Sequence, residues 1–131
     1  MSSSELNGRV ALVTGGGRGI GKGIALALAG AGCDVAVSYV SREAEARATA
    51  AAIEALGRRA FVMRGDVSKS ADVTALVTAV ETALGPVDIL VNNAGRAAFE
   101  SIDQMTEASF NETLQVNLTS IFLMTQAVLP K

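Results

Sequence analysis

Half of the 131 residues are apolar and 18% are charged, so the chain can bury one compact core and is too apolar for a disordered segment. A net charge of −2, with no concentration of Lys or Arg, argues against nucleic acid or an anionic membrane as a partner. The absence of histidine, a single cysteine at Cys33, a polar start and no apolar run near ~20 residues together predict a cytoplasmic protein without a transition-metal centre, a disulfide or a membrane span.

Residues 9–14 and 34–39 are short apolar runs with β-branched residues, and the Ala/Leu-rich stretch between them is long enough for a crossover helix, which predicts a βαβ unit. The glycine-rich stretch 14–21, TGGGRGIG, joins that strand to that helix. At such a junction free N–H groups and the positive end of the helix dipole can receive a pyrophosphate, provided side chains are absent. A second helix is predicted over 43–56, stopped by Gly57, and a third strand over 60–65. Ser68 is the expected N-cap of a third helix that carries Val73, Leu76, Val77 and Val80 on one face and ends at Gly85 and Pro86. The nearly all-apolar stretch 87–91 reads as a fourth strand covered on both faces. From 106 to 129, Phe110, Leu114, Leu118, Ile121 and Leu129 recur at helical intervals and predict one long final helix, ended by Pro130 and Lys131. Strict alternation of strands and helices predicts a single α/β domain over 1–131, a Rossmann-like doubly wound parallel sheet.

A glycine-rich loop alone is also compatible with a flexible turn. Here, however, Gly15, Gly19 and Gly21, with Ile20, have the spacing of the short-chain dehydrogenase/reductase family, and three more segments match that family in order. Asp66 and Val67 close the third strand, Asn92-Asn93-Ala94-Gly95 follows the fourth, and Asn117 lies in the final helix. The chain thus resembles the family over about residues 8–131, and its 3-oxoacyl-carrier-protein reductases in particular. The resemblance implies a strand order 3-2-1-4, an adenine contact from Asp66 and the Val67 backbone, and a site wall built by Asn92, Ala94 and Gly95. Without the other motifs, Asp66 reads as a turn acid and Asn117 as a helix-interior residue bonded to backbone.

A 2′-hydroxyl is recognised by an acid near the end of the second strand, whereas a 2′-phosphate repels that acid and attracts guanidinium groups. Here Tyr39 occupies that place, followed by Val40, Ser41 and Arg42, with Arg18 in the glycine loop. NADP(H) is therefore expected over NAD(H), with Arg18 the stronger contributor; Arg42 reads equally as a solvated residue at the start of the second helix.

The family's reaction requires a tyrosine acid/base, a lysine four residues later and a carbonyl-polarising serine. Hydride transfer to a carbonyl leaves an alkoxide to be protonated, and an unaided phenol with a pKa of about 10 is poorly matched to neutral pH. The only tyrosine is Tyr39, and Glu43 stands four residues on. Of the family's catalytic group only Asn117 is present, where the resemblance implies that it orders a water leading to the lysine. The expectation is the cofactor-binding portion of an NADP(H)-dependent oxidoreductase for a small carbonyl or alcohol substrate, truncated before its catalytic residues and inactive by itself. Its fourth strand, left at a sheet edge, and its long helix predict self-association or a complementing chain. The segment 96–104, RAAFESIDQ, departs from a typical acyl-carrier-protein reductase and leaves the substrate open. The alternative is a non-catalytic nucleotide-binding or assembly module that completes its sheet with another chain. A P-loop phosphotransferase is excluded, because no Gly-Lys-Ser/Thr step follows the glycines.

Overall fold

The computed structural model describes residues 5–96 and 100–130. In chain order it contains β1 (Val10–Thr14), α1 (Gly19–Gly30), β2 (Asp34–Tyr39), α2 (Glu43–Ala55), β3 (Ala60–Arg64), α3 (Ser70–Leu84), β4 (Ile89–Val91), α4 (Glu107–Leu114), a π-helical turn (Gln115–Thr119) and α5 (Ser120–Val128). The strands form one parallel sheet in the order β3-β2-β1-β4, as the family resemblance implied. In register, Leu12 of β1 pairs with Ala36 of β2 on one side and Leu90 of β4 on the other.

Alternation along the strands splits the core into two layers. Leu12 and Ala36 pack with Leu76, Val77 and Val80 of α3 and Met124 of α5 on one face. Ala11, Val13, Val35 and Val37 pack with Ala25 and Ala29 of α1 and with Ala46 and Ile53 of α2 on the other. The strand sequences lack a polar face because both faces are covered by helices.

Three features differ from the sequence expectation. Ser68 does not cap α3, which starts at Ser70 behind Lys69 without a side-chain cap. Its backbone N–H and hydroxyl instead donate to Asp66 Oδ1 at 3.0 and 2.6 Å, a local turn that takes the serine away from the helix. β4 begins at Ile89 rather than Val87, because the Asp88 carboxylate accepts the Val10 N–H at 2.9 Å where a strand carbonyl would. The long final helix is helical from Glu107 to Val128 but changes hydrogen-bond pattern at the π turn. Thr106 caps its start, its hydroxyl accepting the Ser109 N–H at 3.1 Å. Residues 97–99 of the unusual loop and Lys131, the expected end of the last helix, lie outside the described residues.

One ionic cluster fastens the far end of the sheet. The nearly buried Asp34 carboxylate accepts the Arg59 N–H at 3.0 Å and pairs with the guanidiniums of Arg58 at 3.0 Å and Arg59 at 3.1 Å. Arg59 also donates to the Ala83 and Leu84 carbonyls at the end of α3. Burial opposes ionisation of Asp34, but the hydrogen bonds from Arg59 and the two cationic groups outweigh it and hold the carboxyl below its ordinary range.

Candidate functional site

The carboxyl ends of β1, β2 and β4 meet where successive connections leave opposite faces of the sheet, the place where an open α/β sheet leaves a ligand crevice. A pocket of about 480 Å³ lies there. Gly15, Arg18 and Gly19 form one side of it, and Asn93, Ala94 and Gly95 the other. Ser38, Tyr39 and Val40 continue it along the end of β2.

The glycines have distinct physical reasons. A Cβ on Gly21 would collide with the Gly15 carbonyl and the Asn93 amide, so α1 can approach the loop and the β4 end only without a side chain there. Gly15 has φ +67° and a Cβ on it would lie 3.1 Å from Ala94 Cα, so both backbone conformation and space demand glycine. A Cβ at Gly19 would meet nothing within 4 Å, so the space beside this residue is open. The first N–H groups of α1 have no partner carbonyl within the helix and are available to an anion.

Side chains from β1, from the segment after β4 and from α2 hold this loop in place. Asn93 Nδ2 donates to the Gly15 carbonyl at 2.9 Å. The Thr14 hydroxyl accepts the N–H groups of Asn93 and Ala94 at 3.1 and 3.0 Å, stitching the β4 end to the β1 end. From the other side Thr49, fully buried on α2, donates to the Gly17 carbonyl at 3.1 Å. Asn92 is exposed and lines neither this pocket nor its neighbour. The alternation that sends Asn93 inward sends Asn92 out, and only the register of β4 reveals which of the two holds the loop.

An adjoining pocket of about 190 Å³ is lined by Arg18, Ser41, Arg42 and Glu45 and shares Gly15, Ser38 and Tyr39 with the first. Arg18 and Arg42, far apart in sequence, thus reach one place, and both approach Glu45: Arg42 Nη1 lies 3.2 Å from its Oε1 and Arg18 Nε 3.9 Å from its Oε2. Glu45 was not singled out from the sequence, although its position three residues after Arg42 on a helix was the available signal. Ile20 lies in the first turn of α1, 78% exposed as a residue, beside the glycine loop.

Asp66 follows β3, and its N–H donates to the Asp72 carboxylate at 2.9 Å. The Ser68 hydroxyl hydrogen bond, acting against burial, lowers the Asp66 pKa from its ordinary value and keeps it an ionised acceptor. Val67 is buried, packed in the α3 layer of the core. The π turn reaches this loop through Gln115 Nε2, which donates to the Ser68 carbonyl at 2.9 Å.

Asn117, in the π turn, closes a two-bond clasp on the segment after β4. Its Oδ1 accepts the Arg96 N–H at 2.6 Å and its Nδ2 donates to the Arg96 carbonyl at 2.7 Å. The Arg96 guanidinium pairs with Glu112 one turn earlier. Both amide groups of Asn117 are therefore spent on backbone, though on the loop beside the pocket rather than on its own helix. A third cavity, of about 280 Å³ between α3 and α5, is lined by Val73, Val77 and Leu123 and lies away from the glycine loop.

Among the described residues, no group of three or more His, Cys, Asp or Glu side chains is placed to hold a metal, and no helix is long and apolar enough to cross a membrane. The glycine cradle, the open helix end and the two arginines form a donor set suited to an elongated polyanion.

A family model described as short chain dehydrogenase matches residues 9–131. An uncharacterized oxidoreductase of Methylorubrum extorquens is 42% identical over 124 residues, which covers 95% of this chain and 50% of that protein. The crystal structure of a short-chain dehydrogenase from Burkholderia cenocepacia in complex with NADP is 45% identical with a TM-score of 0.91, covering 94% of this chain and 50% of that one. A blue fluorescent protein from a metagenomic library, in complex with NADPH, is 41% identical with a TM-score of 0.88, covering 94% and 51%. The chain spans about half the length of these relatives.

Proposed function

Since the chain belongs to the short-chain dehydrogenase family, we propose that it is the cofactor-binding portion of an NADP(H)-dependent oxidoreductase and binds the dinucleotide along the glycine loop. The observation that carries this reading is the joining of the two pockets: one flanks the glycine cradle, and the next brings Arg18 and Arg42 together at the end of β2. In the proposed complex the α1 N-terminus and Gly19 receive the pyrophosphate, Asp66 and the Val67 backbone flank the adenine, and Arg18 with Arg42 takes the 2′-phosphate. Ile20, Ala94 and Gly95 are proposed to border the cofactor, with Ser41 and Tyr39 beside the adenosine ribose, whereas the exposed Asn92, which lines neither pocket, is not given a cofactor contact. The bound nicotinamide supplies hydride exchange with a small carbonyl or alcohol, a 3-oxoacyl thioester being one carbonyl of that class.

What this chain's own residues do is bind and orient. Thr14, Asn93 and Thr49 fix the loop, and Asn117 fixes the Arg96 backbone that leads away from the pocket. Tyr39 lines the end of the site nearest the two arginines and has Glu43, not lysine, four residues later. The chain therefore offers no phenol and lysine pair to protonate an alkoxide, and we propose that by itself it binds without turnover. With the pure chain, NADPH should give a saturable binding isotherm while NADPH oxidation with an acetoacetyl thioester stays at background. Sustained turnover would contradict the inactivity, and absence of any binding would contradict the cofactor assignment.

A second reading, a module that completes its structure with another chain or a second copy, is favoured by Phe110, Leu114, Leu118, Ile121 and Phe122, all exposed on α4, the π turn and α5. Concentration-dependent sedimentation tests it: a monomer at every concentration contradicts self-association.

A further inference from the structure

The pocket assigned above to the 2′-phosphate already contains an anion of the protein's own. Glu45 sits in the first turn of α2, one turn beyond Arg42, and its Oε1 accepts from the Arg42 guanidinium at 3.2 Å. Its Oε2 is shielded from solvent, lies 3.9 Å from Arg18 Nε, and has no hydrogen-bond partner among the described residues. One carboxylate thus lies between the two cationic groups that a 2′-phosphate would use.

We propose that Glu45 is a cofactor-selecting residue: its carboxylate is the resident counter-anion of Arg18 and Arg42, and it competes with the 2′-phosphate of NADP(H) for both guanidiniums. The proposal rests on the dinucleotide reading above and adds to it the group that limits its selectivity. The charge balance gives the direction. Two arginines and one glutamate leave one net positive charge, and a dianionic phosphate turns that into a net negative charge held at close range. Replacing the carboxylate by an amide of the same shape removes the excess. A 2′-hydroxyl brings no charge and so does not meet this repulsion; it can also donate to Oε2, which lacks a donor.

An opposing effect is that Glu45 organises the arginine side chains before the ligand arrives. That effect is the smaller one, because both arginines are more than half exposed and exposed ion pairs order their partners weakly. The repulsion between a carboxylate and a phosphate sharing the same two cations is felt at contact distance, where salt screens it least. Two arginines that look like an unqualified preference for NADP(H) therefore sit in a site whose preference Glu45 reduces.

The probes are 2′,5′-ADP and 5′-AMP, which carry the adenosine end with and without the 2′-phosphate, titrated calorimetrically into the chain, Glu45→Gln, Arg18→Ala and Arg18→Ala/Glu45→Gln. Glu45→Gln should tighten 2′,5′-ADP by about fivefold to tenfold and leave 5′-AMP within about twofold. The gain should shrink when Arg18 is also removed, because the competition is for that guanidinium. An unchanged or lower ratio of the two affinities in Glu45→Gln overturns the proposal, as does a gain that persists undiminished without Arg18. A wild-type chain that prefers 5′-AMP would remove the NADP(H) preference alone, and a rise in the ratio on Glu45→Gln would then still support the role of Glu45. Binding of neither probe by either form overturns both readings.

Discussion

The central strands of the sheet and its β4 edge differ in how completely they are enclosed. Every residue of β1 is buried and β2 is buried up to Tyr39, whereas all three residues of β4 are only partly covered. The helices repeat the contrast: α2 sends Ala46, Thr49 and Ile53 into the core, while α4 and the π turn bury no residue at all. Large apolar side chains stand out in solvent there, Leu118 at 63% and Phe122 at 61% exposure. The glycine-loop side is thus stabilised by contacts within the chain, whereas the α4–α5 side leaves large apolar side chains exposed.

Substitutions on the two sides should differ in cost. Leu12→Ala empties a position with no exposure at the centre of the enclosed side and should cost about 2–5 kcal/mol in urea unfolding. Asp34→Asn comes next, at roughly 1.5–3 kcal/mol, since it weakens charge-assisted bonds to Arg58 and Arg59. The pH dependence carries its own sign. Because the folded Asp34 has a lowered pKa, its contribution is complete above the unfolded value of about 3.9 and is lost as pH falls through the folded value. Stability of the wild type should therefore drop more steeply below about pH 4 than that of Asp34→Asn, and parallel curves would show that the Arg58 and Arg59 cluster does not govern the acid limb.

Gly21→Ala places a Cβ against the Gly15 carbonyl, which is backbone and cannot rotate away, so about 1–3 kcal/mol of stability should be lost together with NADPH binding. Retained binding would mean that the loop is looser than its contacts with Asn93 and Gly15 imply. The smallest effect belongs to the exposed side: Leu118→Ser should change unfolding by no more than about 0.5 kcal/mol while lowering any concentration-dependent association. A large loss of monomer stability there would erase the distinction between the two sides.

Much of this architecture was legible in the residues. Runs such as Val10–Thr14 and Asp34–Tyr39 announce buried parallel strands because apolar residues stand at consecutive positions and leave neither face polar, and the glycine spacing at 15, 19 and 21 marks the junction of β1 and α1. What escaped depends on distant partners or local competition. Ser68 looks like an N-cap until Asp66, two residues before it, captures its hydroxyl. The start of β4 moves because the Asp88 carboxylate replaces a ladder carbonyl. The roles of Thr14 and Asn93 depend on β1 and β4 being neighbours, 78 residues apart at the bond from Asn93 to Gly15. A helix period shows that 106–129 is helical, but it does not show a π turn at Gln115–Thr119 where Asn117 clasps Arg96. Glu45 has the most ordinary appearance of all, an acid in the first turn of a helix, and only the approach of Arg18 from another element gives it a place in the site.

On the proposed reading, the glycine-loop side of this molecule is a dinucleotide site tuned to the 2′-phosphate by Arg18. Calorimetric titration of NADPH and NADH into the wild-type chain and Arg18→Ala, at one fixed ionic strength, tests it directly. The wild type should bind NADPH more tightly than NADH, and Arg18→Ala should lose about tenfold in NADPH affinity with NADH nearly unaffected. Equal affinity for the two nucleotides in the wild type, or NADPH binding that survives Arg18→Ala undiminished, would contradict it.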